Sequence, residues 1–210
     1  MSDKPEKKDP KDSSNESGQQ EQNDDKKNLG SLKRGVSDMF RTSYRTHVEL
    51  SAIADNKSNI MISINGIIIS IIIASISSKI DTNPWLLIPT SLMLITCMTA
   101  LIYSIRAARP RVSKEPVTLE DVRANRSNIL YFGNFYKLSR EDYVIGIEEL
   151  MADSKRLYNT MARDLHGLGT VLETKFRLLR IAYNVFMWGL AISVASYLVV
   201  YFLVSGGSGF

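Results

Sequence analysis

The sequence contains a single cysteine, Cys97, and only two histidines, His47 and His166. One cysteine excludes a disulfide framework or a cysteine metal site within one chain. The Walker phosphate loop, the GxSxG nucleophile elbow and the HExxH zinc helix are missing from the sequence as well. We therefore predict that the protein is not an enzyme and that it has no catalytic residue, no metal and no cofactor.

Charged residues are missing from three long stretches, residues 58–78, 82–105 and 181–210. A helix rises 1.5 Å per residue, so about 20 apolar residues cross a hydrocarbon core of roughly 30 Å. Each stretch is long enough for one crossing. The pattern predicts an all-α membrane protein with three transmembrane helices, for which the lipid bilayer is the first partner.

Composition divides the rest of the chain into polar segments. The first residues are rich in Lys, Asp, Ser, Asn and Gln and contain few large apolar side chains, which is typical of disorder. The predicted organisation is a disordered polar tail (1–36), a helix leading into a transmembrane hairpin (37–105, spans about 58–78 and 84–105), a cytoplasmic helical segment (106–180), a third transmembrane helix (181–204) and an external tail (205–210).

Basic residues gather beside particular ends of the spans. The short connection between the first two spans holds Lys79 opposed by Asp81, and the last six residues contain no Lys or Arg. Because cytoplasmic flanks carry the excess of Lys and Arg, we predict that the N-terminus is inside and the C-terminus outside. The flanking basic residues are Lys33, Arg34, Arg41, Arg45 and Lys57 before the first span, Arg106, Arg109, Arg111 and Lys114 after the second, and Arg163, Lys175, Arg177 and Arg180 before the third.

The cytoplasmic segment carries helix signals. Thr118 is a plausible N-cap of a short helix, and Ser139 begins a longer one. From Tyr143 onward, apolar residues recur every three or four positions, which predicts a long amphipathic cytoplasmic helix that leads into the third span. Gly167 and Gly169 form its weak point.

The first span contains a stripe of small residues. Gly66, Ser70, Ala74 and Ser78 recur every four residues, which lets another helix approach closely. Packing within the protomer and self-association into a homo-oligomer both explain the stripe. The neighbouring Asn65 is either a hydrogen-bonding contact between helices or part of a pore lining.

Arginines and aromatic residues lie close together in the cytoplasmic segment. We predict a ligand site formed by Arg123, Arg126, Tyr131, Phe135 and Arg140, because guanidinium groups bind phosphate and aromatic rings stack on bases. The alternative is that these arginines are ordinary surface residues.

Four segments resemble the Pycsar effector transmembrane family. They are LSAIADNK at 50–57, NILYFGNF at 128–135, DLHGLGTVL at 164–172 and KFRLLR at 175–180. The likeness covers residues 42–203, and the layout is similar to that of other small multi-span effectors encoded beside bacterial nucleotide-signalling systems.

The resemblance implies an antiphage effector in the bacterial inner membrane. A partner nucleotide cyclase makes a cyclic pyrimidine mononucleotide, cyclic CMP or cyclic UMP, on infection. The effector senses it and impairs the membrane, so that the cell stops growing or dies; no nucleic acid is expected as a partner. The alternative is a structural or signalling membrane protein that recruits a partner through its cytoplasmic helix. A transporter is disfavoured, because three spans provide no inverted repeat.

Overall fold

The computed structural model describes the backbone of residues 10–79, 84–110 and 117–206, and the side chains of residues 27–75, 84–110 and 117–203. These residues form helices, with no strand in the described ranges. The chain divides into two units, Met1–Arg45 and Thr46–Phe210, and the second contains the apolar stretches and the short helices between the second and third of them. The helices are α1 (Pro10–Lys79), α2 (Leu87–Ala108, preceded by a 3-10 turn at Pro84–Leu86), α3 (Leu119–Arg123), α4 (Phe132–Phe135), α5 (Arg140–Ala152) and α6 (Ser154–Gly206).

Three of the helices, α1, α2 and α6, are long and apolar enough to cross a membrane. The predicted fold class, an all-α protein with three transmembrane helices and a long helix leading into the third, is confirmed. Most of the surface of each apolar window is exposed, with 17%, 22% and 11% buried inside the protein. Helices with this exposed apolar surface suit a lipid environment, because each helix satisfies its own backbone hydrogen bonds there.

Small side chains form the contact between the spans. On α1 the buried residues are spaced by four, three and four positions, which places them on one face. Where α6 meets α2, Gly189 lies so close to Thr96 that an added Cβ would overlap the Thr96 side chain. The buried residues of the three helices are Ala54, Ser58, Met61 and Asn65 on α1, Pro89, Thr96, Cys97, Ala100, Ser104 and Ala107 on α2, and Thr160, Leu179, Ala182 and Ser193 on α6.

The helices α3 and α5 begin where their predicted capping residues lie. Thr118 Oγ1 accepts a hydrogen bond from the Asp121 backbone N–H (3.2 Å), and the Asp121 carboxylate accepts one from the Thr118 N–H (3.1 Å). This reciprocal pair is a capping box that opens α3. Ser139 caps α5 through the backbone N–H of Asp142 (3.0 Å). Both predicted N-caps are confirmed.

The long helix predicted before the third span breaks at a different place from the one that the sequence indicates. The prediction of a weak point at Gly167 and Gly169 is wrong, since α6 runs through both glycines and the break falls at Asp153. The Asp153 carboxylate accepts hydrogen bonds from the backbone N–H groups of Lys155 (2.9 Å) and Arg156 (3.1 Å). This N-cap ends one helix and starts the next, whereas a glycine inside a helix costs only about 1 kcal/mol.

The predicted disordered tail also differs from the structure. Residues 10–36 are helical as the first part of α1, and residues 1–9 lie outside the described residues. Elongation of an existing helix adds one hydrogen bond for each residue, so a polar sequence can extend a helix that it would not nucleate. At the other end α6 continues to Gly206, and the remainder of the predicted external tail lies outside the described residues.

Candidate functional site

The segment between α3 and α4 is fastened to the part of α6 that precedes the third apolar stretch. Arg163 Nη1 donates a hydrogen bond to the Asn125 carbonyl (2.9 Å), and Asn128 Nδ2 donates one to the Asp164 carboxylate (2.7 Å). Two turns earlier on α6, Arg156 Nη2 donates a hydrogen bond to a carbonyl in α3 (2.9 Å). These three contacts, here called the α6 clasp, bring α6 against the aromatic segment that follows α3.

Asn128 and Asp164 are the best-connected pair in the clasp. The Asn128 side-chain oxygen accepts a hydrogen bond from the Leu130 N–H (2.9 Å), while Asn134 Nδ2 donates to the Asn128 carbonyl (3.0 Å). Burial raises the pKa of the Asp164 carboxyl, and the hydrogen bond from Asn128 partly opposes that shift. A half-buried carboxyl group therefore lies where the loop meets α6.

Two of the predicted ligand-binding arginines already have carboxylate partners. Arg123 Nε lies 3.0 Å from a Glu149 oxygen and joins α3 to α5, and Arg126 Nε lies 3.0 Å from Asp121 Oδ1. The hydrogen bond from Arg123 lowers the pKa of Glu149. The pKa of Asp121 is lowered mainly by its hydrogen bonds with Thr118 and further by Arg126. All of these groups are at the surface, so water screens the ion pairs.

The predicted aromatic residues are half-buried. The Phe135 ring lies 5.1 Å from the Tyr143 ring and packs against the small core of Val122, Ile129 and Leu150. Tyr131 forms a second ring pair with Phe132, also at 5.1 Å. The more accessible rings are those of Phe132 and Tyr136, which are 56% and 61% exposed.

Arg140 differs from the other predicted arginines. It lies in the first turn of α5 and is exposed. Within the described part of the chain its guanidinium has no hydrogen bond or ion pair, so it is the predicted ligand residue whose charge is available to an anion. The same part of the chain contains no group of three or more His, Cys, Asp or Glu side chains placed to hold a metal ion.

The structure separates Asn65 from the small-residue stripe. Asn65 is fully buried between the spans. Gly66 has open space where a Cβ would stand, and Ser70 and Ala74 are exposed, while the side chain of Ser78 lies outside the described residues. The stripe therefore belongs to the outer surface of the protomer, and Asn65 belongs to its core.

The family model described as the Pycsar effector protein domain matches residues 38–203. The chain belongs to this family. The match confirms the resemblance seen in the sequence, and it includes all three spans, the α6 clasp and the aromatic segment. Membership identifies the chain as an antiphage defence effector, and the three spans identify it as a membrane protein. Comparison with curated proteins and with solved structures gives no match.

The Pycsar effector also contains an ion pair that the sequence does not indicate. Lys175 Nζ on α6 lies 2.7 Å and 2.8 Å from the two Asp55 carboxylate oxygens on α1, and it donates a third hydrogen bond to Ser51 Oγ (2.9 Å). The Lys175 side chain is only 12% exposed. The partners are 120 positions apart, so no local pattern pairs them. The pair fastens α6 to α1 just before the first apolar stretch.

Replacement of Asp164 by Asn should change how the stability of the effector depends on pH. Because the pKa of Asp164 is raised in the fold, its stabilising effect is complete below the unfolded value of about 3.9 and is lost as pH rises through the folded value. Asn keeps an oxygen that accepts from Asn128. We expect Asp164→Asn to be at least as stable as the parent at neutral pH and to lack the gain that the parent shows on acidification, as measured by thermal unfolding in detergent over a pH series.

Glu149→Gln is the matched control for this experiment. The pKa of Glu149 is lowered in the fold, so its stabilising effect is present above its unfolded pKa and is lost as pH falls through the folded value. Its replacement should therefore change the pH profile with the opposite sign. Profiles that change in the same direction for both variants would contradict the assigned environment of Asp164.

Proposed function

We propose that this Pycsar effector binds a cyclic pyrimidine mononucleotide, cyclic CMP or cyclic UMP, through its cytoplasmic helices and then impairs the bacterial inner membrane that it spans. A partner nucleotide cyclase supplies the ligand on infection, and the outcome is growth arrest or death of the infected cell. The effector acts without catalysis. The observation that carries the proposal is α6, which runs without interruption from the clasp at Arg156 through the third span.

A continuous helix links the two parts of the proposed mechanism. The loop after α3 is fastened to α6 through side chains at 156, 163 and 164, which lie two turns apart on one face. A ligand that moves this loop therefore moves α6, and the same helix packs against α2 at Gly189. A tenfold shift toward the membrane-impairing state requires about 1.4 kcal/mol of differential affinity for that state.

The proposed ligand site is centred on Arg140, with the exposed rings of Phe132 and Tyr136 as stacking surfaces. We assign the other predicted residues, Arg123, Arg126, Tyr131 and Phe135, to the same proposed site. Arg123 donates hydrogen bonds to Glu149 through Nε and Nη2, and its remaining N–H groups can donate to a phosphate. A phosphate that competes with Glu149 for this guanidinium would loosen α3 from α5, so ligand binding would weaken the contact between these two helices.

Assembly and orientation complete the proposal. The basic flanks of the spans support a cytoplasmic N-terminus and an external C-terminus. The exposed Ser70 and Ala74, with the open space beside Gly66, support close contact between copies in a homo-oligomer, since small residues allow helices in lipid to approach each other.

Arg140→Ala should lower nucleotide affinity about tenfold, the effect of removing one charge-assisted phosphate contact. Affinity is measured by calorimetry with cyclic CMP and cyclic UMP, and the response is measured as release of a fluorescent dye from proteoliposomes. Lys155→Ala is the matched control, because Lys155 is another exposed cation of the same segment. Release of dye that does not depend on either nucleotide, from protein shown to be folded and inserted, would contradict the proposed function. Equal loss of nucleotide affinity in Arg140→Ala and Lys155→Ala would contradict the proposed ligand site.

A further inference from the structure

The contact between the three spans is unusually polar for a surface inside a membrane. Apart from Met61, Pro89 and Leu179, the buried apolar side chains of the spans are alanines and Cys97. The other buried side chains of the spans carry polar groups and come from all three helices. They are Ser58 and Asn65 on α1, Thr96 and Ser104 on α2, and Ser193 on α6, here called the polar core.

The polar core does not bond the helices to one another. Ser58 and Ser104 each donate to the carbonyl four residues earlier in their own helix, at 2.9 Å in both cases. Asn65 Nδ2 does the same with Met61, at 2.8 Å. Among the described residues, the Asn65 side-chain oxygen and the Ser193 hydroxyl are buried and have no partner at all.

These two unpartnered atoms make the closed packing of the spans costly. A buried polar atom without a hydrogen bond retains the full cost of losing its water, and a low dielectric increases that cost. Water that enters between α1, α2 and α6 would form hydrogen bonds with these two atoms and so remove this cost. The polar core therefore favours a hydrated, separated arrangement, while small-residue contacts and the Lys175 ion pair hold the closed one.

The outer surface of α1 contrasts with the polar core. Exposed isoleucines at 60, 64, 67 and 71 follow one face of the helix. On the neighbouring face, the exposed Ser70 hydroxyl is already bonded to the Gly66 carbonyl at 2.9 Å. Neither outer face contains an unpartnered buried group that water would satisfy.

We propose that the polar core is where water, and the small ions that it carries, enter the membrane when the effector is triggered. Movement of α6 away from α1 and α2 hydrates Asn65 and Ser193, and the permeation route runs between the helices of one protomer. The exposed stripe of Gly66, Ser70 and Ala74 serves assembly instead. This inference rests on the proposed membrane-impairing function.

Cys97 provides a direct test, because it is the single cysteine of the chain and is completely buried beside Thr96. The full chain in proteoliposomes is treated with a membrane-impermeant methanethiosulfonate reagent, with and without cyclic CMP or cyclic UMP. We expect labelling of Cys97 to become about tenfold faster under conditions that release dye, which corresponds to about 1.4 kcal/mol of shifted equilibrium. The control is Ser70→Cys in a Cys97→Ala background, for which the labelling rate should not change.

Two substitutions test the cost of the unpartnered atoms without any nucleotide. Ser193→Ala removes one such atom with little change in volume, and Asn65→Leu removes the other. Both should raise the unfolding temperature in detergent and reduce dye release in the triggered state, whereas Ser91→Ala, at an exposed hydroxyl that bonds the carbonyl of Ile88 in its own helix, should alter neither. An unfolding temperature that stays the same or falls for Ser193→Ala would overturn the inference.

The two proposals fail in different ways. Dye release with unchanged labelling of Cys97, or with faster labelling at position 70 alone, would overturn the route through the polar core and leave the membrane-impairing function in place. Absence of nucleotide-dependent dye release would contradict the proposed function and the inference that rests on it.

Discussion

Gly189→Ala is expected to lower the stability of the transmembrane bundle by about 1–3 kcal/mol, the usual cost of overpacking a well-packed core. An added Cβ at this position would overlap the γ atoms of Thr96 on α2. Alanine improves helix propensity over glycine by about 1 kcal/mol, but it cannot enter without separating α6 from α2. The measurement is thermal unfolding of the purified protein in detergent, with size-exclusion chromatography to confirm folding.

Two variants make this prediction specific to the contact. Gly66→Ala is the matched control in another span, because no atom lies within 4 Å of the added Cβ, and it should be neutral or stabilising. Thr96→Ala combined with Gly189→Ala should recover part of the loss, since it removes both γ atoms and leaves only Thr96 Cβ, at 2.7 Å. Equal losses of stability for Gly189→Ala and Gly66→Ala would contradict the close approach of Gly189 to Thr96 as the cause of the loss.

Asp55→Ala is expected to cost about 2–3 kcal/mol of stability. Removal of one partner from a buried ion pair costs about 3–5 kcal/mol, and we place this pair below that range because the Asp55 carboxylate is 41% exposed. The loss arises at Lys175, whose ammonium is 12% exposed and would retain only Ser51 Oγ as a partner. Thermal unfolding in detergent measures the change.

The reverse substitution should be milder. Lys175→Met keeps the length of the side chain and leaves Asp55 able to take water in place of the ammonium, so we expect about half the loss of Asp55→Ala. The double variant Asp55→Leu with Lys175→Met should be more stable than Asp55→Ala, because no charge remains unpaired. If Lys175→Met proves the more damaging single variant, the burial assigned to Lys175 is wrong.

Features set by neighbouring residues were predictable from the sequence. The three spans follow from uncharged length, because a helix in lipid must be apolar over a known distance. The N-caps at Thr118 and Ser139 follow from hydroxyl side chains that bond a backbone N–H three positions later. The four segments quoted from the sequence identified the family whose model matches residues 38–203.

The position of the helix break could not be predicted from neighbouring residues, because two local signals compete there. Gly167 and Gly169 lower helix propensity, but α6 continues through both positions. Asp153 prevails because its carboxylate satisfies two backbone N–H groups at the start of α6, and a side-chain cap outweighs a propensity difference. The strength of such a cap depends on whether the chain turns there, and this depends on how α5 packs.

The candidate site was only partly predictable, for a reason that concerns charge. The sequence does not distinguish Arg123, Arg126 and Arg140, since all three lie near aromatic residues along the chain. The structure distinguishes them, because Arg123 finds Glu149 on another helix and Arg126 finds Asp121, whereas Arg140 keeps its charge exposed. Pairing of this kind depends on which helix faces are brought together.

The membrane class, the number of spans, the caps of the short helices and the family could be predicted from the amino-acid sequence alone, because each of these depends on residues within a few turns of one another. Packing of the helices places Asn65 in a polar core, leaves Gly66, Ser70 and Ala74 outside it, and brings Lys175 to Asp55. These outcomes depend on the rotation and register of packed helices. Side chains far apart in sequence set that geometry together, so no single segment contains it.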